Sequence, residues 1–247
     1  MKVFKSLALE IGGAPKEISF GLADTVKERE EVFALRYRVY TRYQYLIEGV
    51  HSNGLESDRY DEEGKSTYVI ARVNDKIIGT VRMIFPPDLP IKSFFSFEVP
   101  QIEMEEGIEK GCEVSRLVVE RYSPTEYLPR NVVMLFLMST LLDHAKEREY
   151  TFAYGFLKER LMGKLNKLRV PFTDIQEFKV TYPPSGPMAP YFSDPSDRVI
   201  PSYFESHRLN KFMDETLGGN LFEKITEKEY ALKHTLYTRF LTALKIL

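Results

Sequence analysis

Tryptophan is absent from this 247-residue chain, and cysteine occurs once, as Cys112. A lone thiol excludes an internal disulfide and argues against a small secreted scaffold, which depends on several. The histidines His51, His144, His207 and His234 are scattered, with no HExxH and no Cys/His cluster, so no metal site is expected. Neither a GxSxG elbow nor a Walker-type glycine loop occurs. Charge of one sign is not in excess: 34 Lys and Arg stand against 36 Asp and Glu, and a net −2 gives no global pointer to nucleic acid. The longest apolar run, Val132 to Leu142, is short of the roughly 20 residues that a spanning helix needs. The N-terminal "SLALEI" carries a glutamate and is too short for a signal-peptide core. The expectation is a soluble, cytoplasmic protein.

What is present suits a domain with a substantial core, since 43% of residues are hydrophobic and 28% charged. Residues Val26 to Leu46 space their apolar positions as an amphipathic helix does. "TYVIARV" and "DKIIGTVRMIF" read as strands of a hairpin turning at "NDK". "EVSRLVVE" is a strand, Arg130 to Arg148 a buried helix, "YTFAYGF" a strand, "KERLMGKLNKLRV" a helix with a basic face, and "TDIQEFKVTY" a closing strand. That order predicts an α/β domain with a mixed sheet. Beyond Tyr182, "PPSGPMAPYFSDPSDRVIP" reads as loop or linker, and "EKITEKEYALKHTLYTRFLTALKIL" as an amphipathic C-terminal helix. The expected division is residues 1–195 as the core domain and 196–247 as a helical extension packed on it.

One stretch concentrates chemistry. In "KGCEVSRLVVERY", Lys110 to Tyr122, the residues Glu113, Ser115 and Arg116 precede the apolar triplet Leu117, Val118 and Val119. Strand alternation places Glu113 and Ser115 on one face and Val114 and Arg116 on the other, unless a bulge intervenes. Upstream, Glu56, Asp58 and Asp61 crowd into six positions, a spacing that also suits a solvated acidic loop but lacks the ligand order of an EF-hand. Arg36 and Arg82 sit among apolar neighbours; pointed inward, each requires a carboxylate partner, and pointed outward, neither does. Cys112 has no neighbouring histidine and reads as a packed thiol.

Taken in order, "LRYRVY", "LESDRYD", "STYVIARVNDKIIGTVRMIFP", "CEVSRLVV", "GFLKERLMGKLNKLRVPFTDI" and "VTYPPSGPMAPYFSDPSD" resemble the acyl-homoserine-lactone synthases and the related N-acyl amino acid synthases. Both are branches of the GNAT acyltransferase fold. The last segment is similar to acyltransferases associated with the PEP-CTERM/exosortase system. The resemblance spans Val32 to Asp197. It implies a GNAT fold: a mixed, mostly antiparallel twisted sheet flanked by helices, with a C-terminal helical extension. It also implies an N-acyltransferase that moves a medium or long acyl group from a thioester to the amine of an amino acid or related small molecule. The positions matching Arg36, Asp58, Asp61, Arg82, Glu113 and Arg116 form an interlocked charged cluster in such enzymes, and the Glu113 position is the suggested general base. Glu113 and Ser115 are therefore the candidate catalytic residues. Arg36, Tyr40, Asp58, Asp61, Arg82, Arg116, Leu117, Val118 and Val119 are the candidate substrate-binding residues, with the Tyr43 to Leu46 stretch beside Tyr40.

Two departures refine the expectation. No glycine lies between Gly111 and Gly155, so the glycine-rich loop that cradles the pyrophosphate of a CoA donor is missing. The donor expected is then acyl carrier protein, with acyl-CoA the alternative and no tightly bound cofactor. A carrier protein is acidic, and Arg121, Arg130, Lys158, Arg160 and Lys164, with Lys167 and Arg169, could form the basic patch that steers it. A solvated helix face explains the same residues. The lactone synthases also use a tryptophan near the Tyr43 to Leu46 region, and this chain has none. Its absence favours an amino acid acceptor over S-adenosylmethionine, the acceptor of a true acyl-homoserine-lactone synthase. The alternatives are that synthase and a non-catalytic module that binds acyl groups or the carrier protein. A homodimer is compatible with either.

Overall fold

The computed structural model describes residues 1–11, 14–120, 130–219 and 221–233. Its centre is a ten-stranded sheet in the order β11-β12-β1-β2-β3-β4-β6-β7-β10-β8. The strands are β1 (Lys2–Ile11), β2 (Ala14–Leu22), β3 (Ser66–Val73), β4 (Lys76–Ile84), β6 (Gly111–Val119), β7 (Phe152–Lys158), β8 (Thr173–Asp174), β10 (Val199–Glu205), β11 (Phe222–Lys224) and β12 (Glu229–Leu232). Neighbours run antiparallel except β1 with β12 and β6 with β7. A separate ribbon joins β5 (Phe95–Phe97) to β9 (Phe178–Val180). The α/β architecture with a mostly antiparallel sheet is the one expected.

Helices cover both faces. On one lies α5 (Arg130–Glu147), whose Val132, Val133, Phe136, Leu137 and Leu141 pack on Phe20, Val69, Val81 and Met83. The other carries α1 (Val26–Arg42), which buries Val32, Leu35, Arg36, Val39 and Tyr40, the i, i+3, i+4, i+7, i+8 stripe of a core-facing helix. A capping box starts it: Thr25 Oγ1 accepts from the Glu28 N–H, and the Glu28 carboxylate accepts from the Thr25 N–H. The same face holds the one-turn helices α2 (Arg59–Glu62), α3 (Pro90–Phe94), α4 (Gln101–Glu106) and α7 (Ala189–Ser193). The helix α6 (Glu159–Lys167) follows β7, and α8 (Ser206–Leu217) packs against α5.

The hairpin β3–β4 turns at Asn74 and Asp75, with Asn74 at φ 50°. That left-handed residue suits asparagine and accounts for the tight connection. "TDIQEFKVTY" is not one strand: β8 and β9 belong to different sheets. The expected helical extension also differs. After residue 196, β10 enters the main sheet between β7 and β8, α8 follows, and β11 and β12 extend the far edge. The alternation of Val199, Tyr203 and Glu205 on one side with Ile200, Ser202 and Phe204 on the other is a strand period that proline at 201 obscures. Of the proposed C-terminal helix, Glu229–Leu232 is a strand, and residues 234–247 lie outside the described residues. Among the described residues no helix is long and apolar enough to cross a membrane.

Candidate active site

Strands β6 and β7 pair in parallel at Gly111 with Phe152, Cys112 with Ala153 and Glu113 with Tyr154, and the ladder stops there. Both strands continue, β6 still bonded to β4 and β7 to β10, so they diverge into an open V. At its closed end Gly111 is required: a Cβ there would lie 2.4 Å from the Phe152 ring. Just past Glu113, β6 bulges. Arg82 on β4 faces Ser115, while Thr80 faces Val118, leaving an extra residue on β6, and Arg116 takes φ 56°. The bulge overrides simple alternation. Arg116 joins Ser115 on the α1 face, whereas Leu117 and Val119 turn their side chains to the α5 core and Val118 packs with Tyr40 and Val39.

Beside the V three arginines meet three carboxylates. Arg36, within the buried stripe of α1, pairs with Glu56 and sends Nη2 to Asp61 Oδ2 at 2.8 Å. Arg82 Nη1 donates to Asp58 Oδ1 at 2.7 Å and Asp61 Oδ1 at 2.9 Å, and its Nε donates to Ser115 Oγ at 3.2 Å. Arg116 donates through Nε to Glu56 Oε1 and through Nη2 to Asp58 Oδ2, both at 3.1 Å. The Tyr68 hydroxyl adds a bond to Asp61 Oδ1 at 2.8 Å. Backbone geometry pre-sets the acids. Asp58 caps α2, accepting from the Tyr60 N–H, and Asp61 accepts from the Asp58 N–H. Burial opposes ionisation of Glu56, Asp58 and Asp61, yet the surrounding guanidiniums hold all three below the ordinary carboxylate range. Formal charges cancel, which allows six ionised groups to stay inside.

The inward alternative for Arg36 and Arg82 is therefore the one realised, and Asp58, Asp61 and Arg116 join them. Glu56, which belongs to the acidic run but not to the expected substrate-binding set, is equally central. Its signal was its place in that run, two residues before Asp58.

Glu113 stands apart from this network. Completely buried at the closed end of the V, it accepts from the Ile91 N–H at 2.6 Å through Oε2, while Oε1 has no hydrogen-bond partner among the described residues. Burial pushes its carboxyl up to about 8, and the lowering pulls of the Ile91 N–H, Arg82 and Arg116 do not offset that. A carboxylate with this affinity and a free oxygen can take a proton near neutral pH. Ser115 is engaged as the acceptor of Arg82. Tyr40 is buried under the cluster, and burial raises its phenol to about 12. Aromatic rings line the β7 side: Phe156 packs with Phe94, Phe95, Tyr191 and Phe192, and Tyr182 stacks on Phe192 at 4.2 Å.

The basic face is reduced relative to expectation. Arg160, Lys164, Lys167 and Arg169 are exposed on and after α6. Lys158 is not a surface cation: it is 5% exposed, and its Nζ donates to the carbonyls of Tyr191 and Asp197. Tyr154, Phe156 and Lys158 share a face of β7 by strand alternation, which directs the lysine inward. Arg121 and the side chain of Arg130 lie outside the described residues. Among the described residues no group of His, Cys, Asp and Glu is arranged to hold a metal.

A mostly antiparallel sheet split between two parallel strands is the GNAT-like acyltransferase fold, and solved structures of that class superpose on this chain. The acyl-homoserine-lactone synthase LasI does so with a TM-score of 0.55 at 15% identity, covering 84% of this chain and 97% of its own. FeeM, an N-acyl amino acid synthase from uncultured soil microbes, gives 0.55 at 14%, covering 83% and 98%. The CoA-dependent acyl-homoserine lactone synthase MesI gives 0.51 at 17%, covering 78% and 89%. No curated protein sequence gives a significant match. The family model for N-acyl amino acid synthase FeeM matches residues 31–155, half the chain, and the chain belongs to that family. It is an acyltransferase of the N-acylating type.

Proposed function

We propose that this enzyme transfers a medium or long acyl group from acyl carrier protein to the amine of an amino acid, with Glu113 as general base. The observation that carries the reading is the V between β6 and β7, with a carboxylate at its closed end that has one oxygen free. The thioester lies along the V, its carbonyl near Glu113. The amine nitrogen attacks that carbonyl carbon, the C–N bond forms, and the amine proton passes to Glu113, directly or through one water. Main-chain N–H groups of the unpaired part of β6 are suited to stabilise the oxyanion. Collapse breaks the C–S bond, and the leaving thiolate takes up the proton, which restores the Glu113 carboxylate.

The charged cluster shapes the acceptor side. Its arginines are already paired, so Arg36, Arg82, Arg116, Asp58 and Asp61 act mainly by fixing the wall, with Ser115 holding Arg82 in place. Tyr40 and the aromatic rings beside β7 supply apolar surface. The exposed Arg160, Lys164, Lys167 and Arg169 fit an acidic carrier protein, which favours that donor over CoA. The test is incubation with decanoyl thioesters of carrier protein and of CoA, with mixed amino acids or S-adenosylmethionine, and products read by mass spectrometry. An N-acyl amino acid is expected, formed faster from the carrier-protein donor. A homoserine-lactone product would overturn the acceptor, and an equal rate from both donors would overturn the role of the basic face.

A further inference from the structure

Lys158 is buried where a surface cation was expected, and its surroundings give it different work. Its Nζ donates to Tyr191 O at 2.5 Å and Asp197 O at 2.7 Å, so one ammonium ties the middle of α7 to the turn that follows it. It also lies over the ring of Tyr191, 4.7 Å from the centroid, and 5.6 Å from that of Tyr45. Tyr191 packs edge-on against Tyr45 at 5.0 Å, and Tyr45 lies 6.1 Å from Tyr40. Tyr40 and Tyr191 both feel the charge of Arg116, and Tyr191 also meets the Phe156 and Phe192 rings, so it lies between the charged cluster and the aromatic side of the V. Burial lowers the affinity of Lys158 for its proton, and its hydrogen bonds end on neutral carbonyls, with Asp194 only at 3.9 Å. A buried cation held this way persists only where the geometry it enforces compensates for its desolvation.

We infer that Lys158 is a positioning residue for the acceptor side of the site: by fixing the 189–197 segment, it sets Tyr191 against Tyr45 and Tyr40 as the wall on which the acceptor amino acid rests. This rests on the acyl-transfer reading above. Lys158→Met keeps the stem and removes charge and donors, and Lys158→Arg keeps both. Amide hydrogen exchange over residues 186–197 reports the segment, and separate KM values for acceptor and donor report the site. Lys158→Met is expected to speed exchange there and to raise the acceptor KM about tenfold, leaving donor KM and kcat within about twofold. Lys158→Arg is expected to recover most of the loss. Unchanged exchange, or acceptor and donor KM rising together, would overturn the proposal. Should Lys158→Met fail to fold, Tyr191→Leu removes the ring and keeps the carbonyl. The same acceptor-selective rise is expected of it, and its absence counts against the proposal equally. A wild type that transfers to no acceptor removes the acyl-transfer reading and this role with it; an active wild type matched by Lys158→Met overturns this role alone.

Discussion

Both faces of the central sheet bury apolar side chains, but only one also encloses a net of three guanidiniums and three carboxylates. Against α5 the contact is mainly hydrocarbon and aromatic, with Phe20 stacked on Phe136 at 5.2 Å and Leu137, Val81 and Met83 in the same core, and Lys5 bonded to Ser139 and Asp143 at its edge. Against α1 and α2 the same sheet buries three guanidiniums and three carboxylates in a closed net. Apolar burial is non-directional and tolerates repacking of similar volume. The charged net fixes atoms to within hydrogen-bond distances, and removing one member strands the others. One face thus supplies bulk cohesion, and the other a wall of fixed shape beside Glu113.

The sharpest break in that contrast is Glu113→Gln. It is expected to lower turnover about 10²- to 10⁴-fold, as loss of a general base does, with the fold retained. In the wild type, kcat/KM should climb as pH rises through about 8, where Glu113 ionises. Stability runs the other way. The folded chain keeps a proton on Glu113 that the unfolded chain loses near 4.5, so stability falls between 4.5 and about 8 as pH rises. Thermal melts across that window should decline in the wild type and flatten in Glu113→Gln. The depressed Glu56, Asp58 and Asp61 act at the acid end: their contribution is full above the ordinary carboxylate values and is lost as pH falls below them.

Next in size is Arg82→Met, which leaves Asp58 and Asp61 short of a partner. Urea unfolding should show a loss of about 3–5 kcal/mol, with turnover impaired as the wall relaxes. Leu137→Ala probes the opposite face and should cost about 3 kcal/mol through the cavity it leaves, while KM for both substrates holds. Equal damage to KM from Leu137→Ala and Arg82→Met would erase the distinction between the faces. The smallest effect is reserved for charge outside both: Lys110→Ala, which breaks an exposed pair with Glu149, should change stability by under about 1 kcal/mol.

Much of this was legible in the residues. The stripe from Val32 to Tyr40 carries a helical period, the "NDK" hairpin is marked by its turn between two β-rich runs, and α5 by a continuous apolar run; each forms as expected. The charged residues were legible as types needing partners, but pairing Arg36 with Glu56 takes a contact across 20 positions that no local pattern encodes. Lys158 misled because it lies where a strand becomes a basic helix: helix spacing groups it with Arg160 and Lys164, whereas strand alternation sends it inward. The region after Tyr182 concealed β10 because Pro201 and the preceding Asp, Ser and Pro mimic a linker. In the structure Pro201 sits within a strand flanked by β7 and β8, a place that proline seldom takes.

The bulge at Arg116 makes β6 sensitive to its length rather than its lettering. Replacing Val118 by isoleucine alters a volume; deleting one residue from Leu117 to Val119 removes the bulge and with it the turn that aims Arg116. Deleting Leu117, for example, restores regular pairing with β4 and puts Arg116 opposite Val81, turned into the α5 core and away from Glu56 and Asp58. Single-residue deletions here should be far less forgiving than substitutions, a grammar of counting imposed by one left-handed arginine.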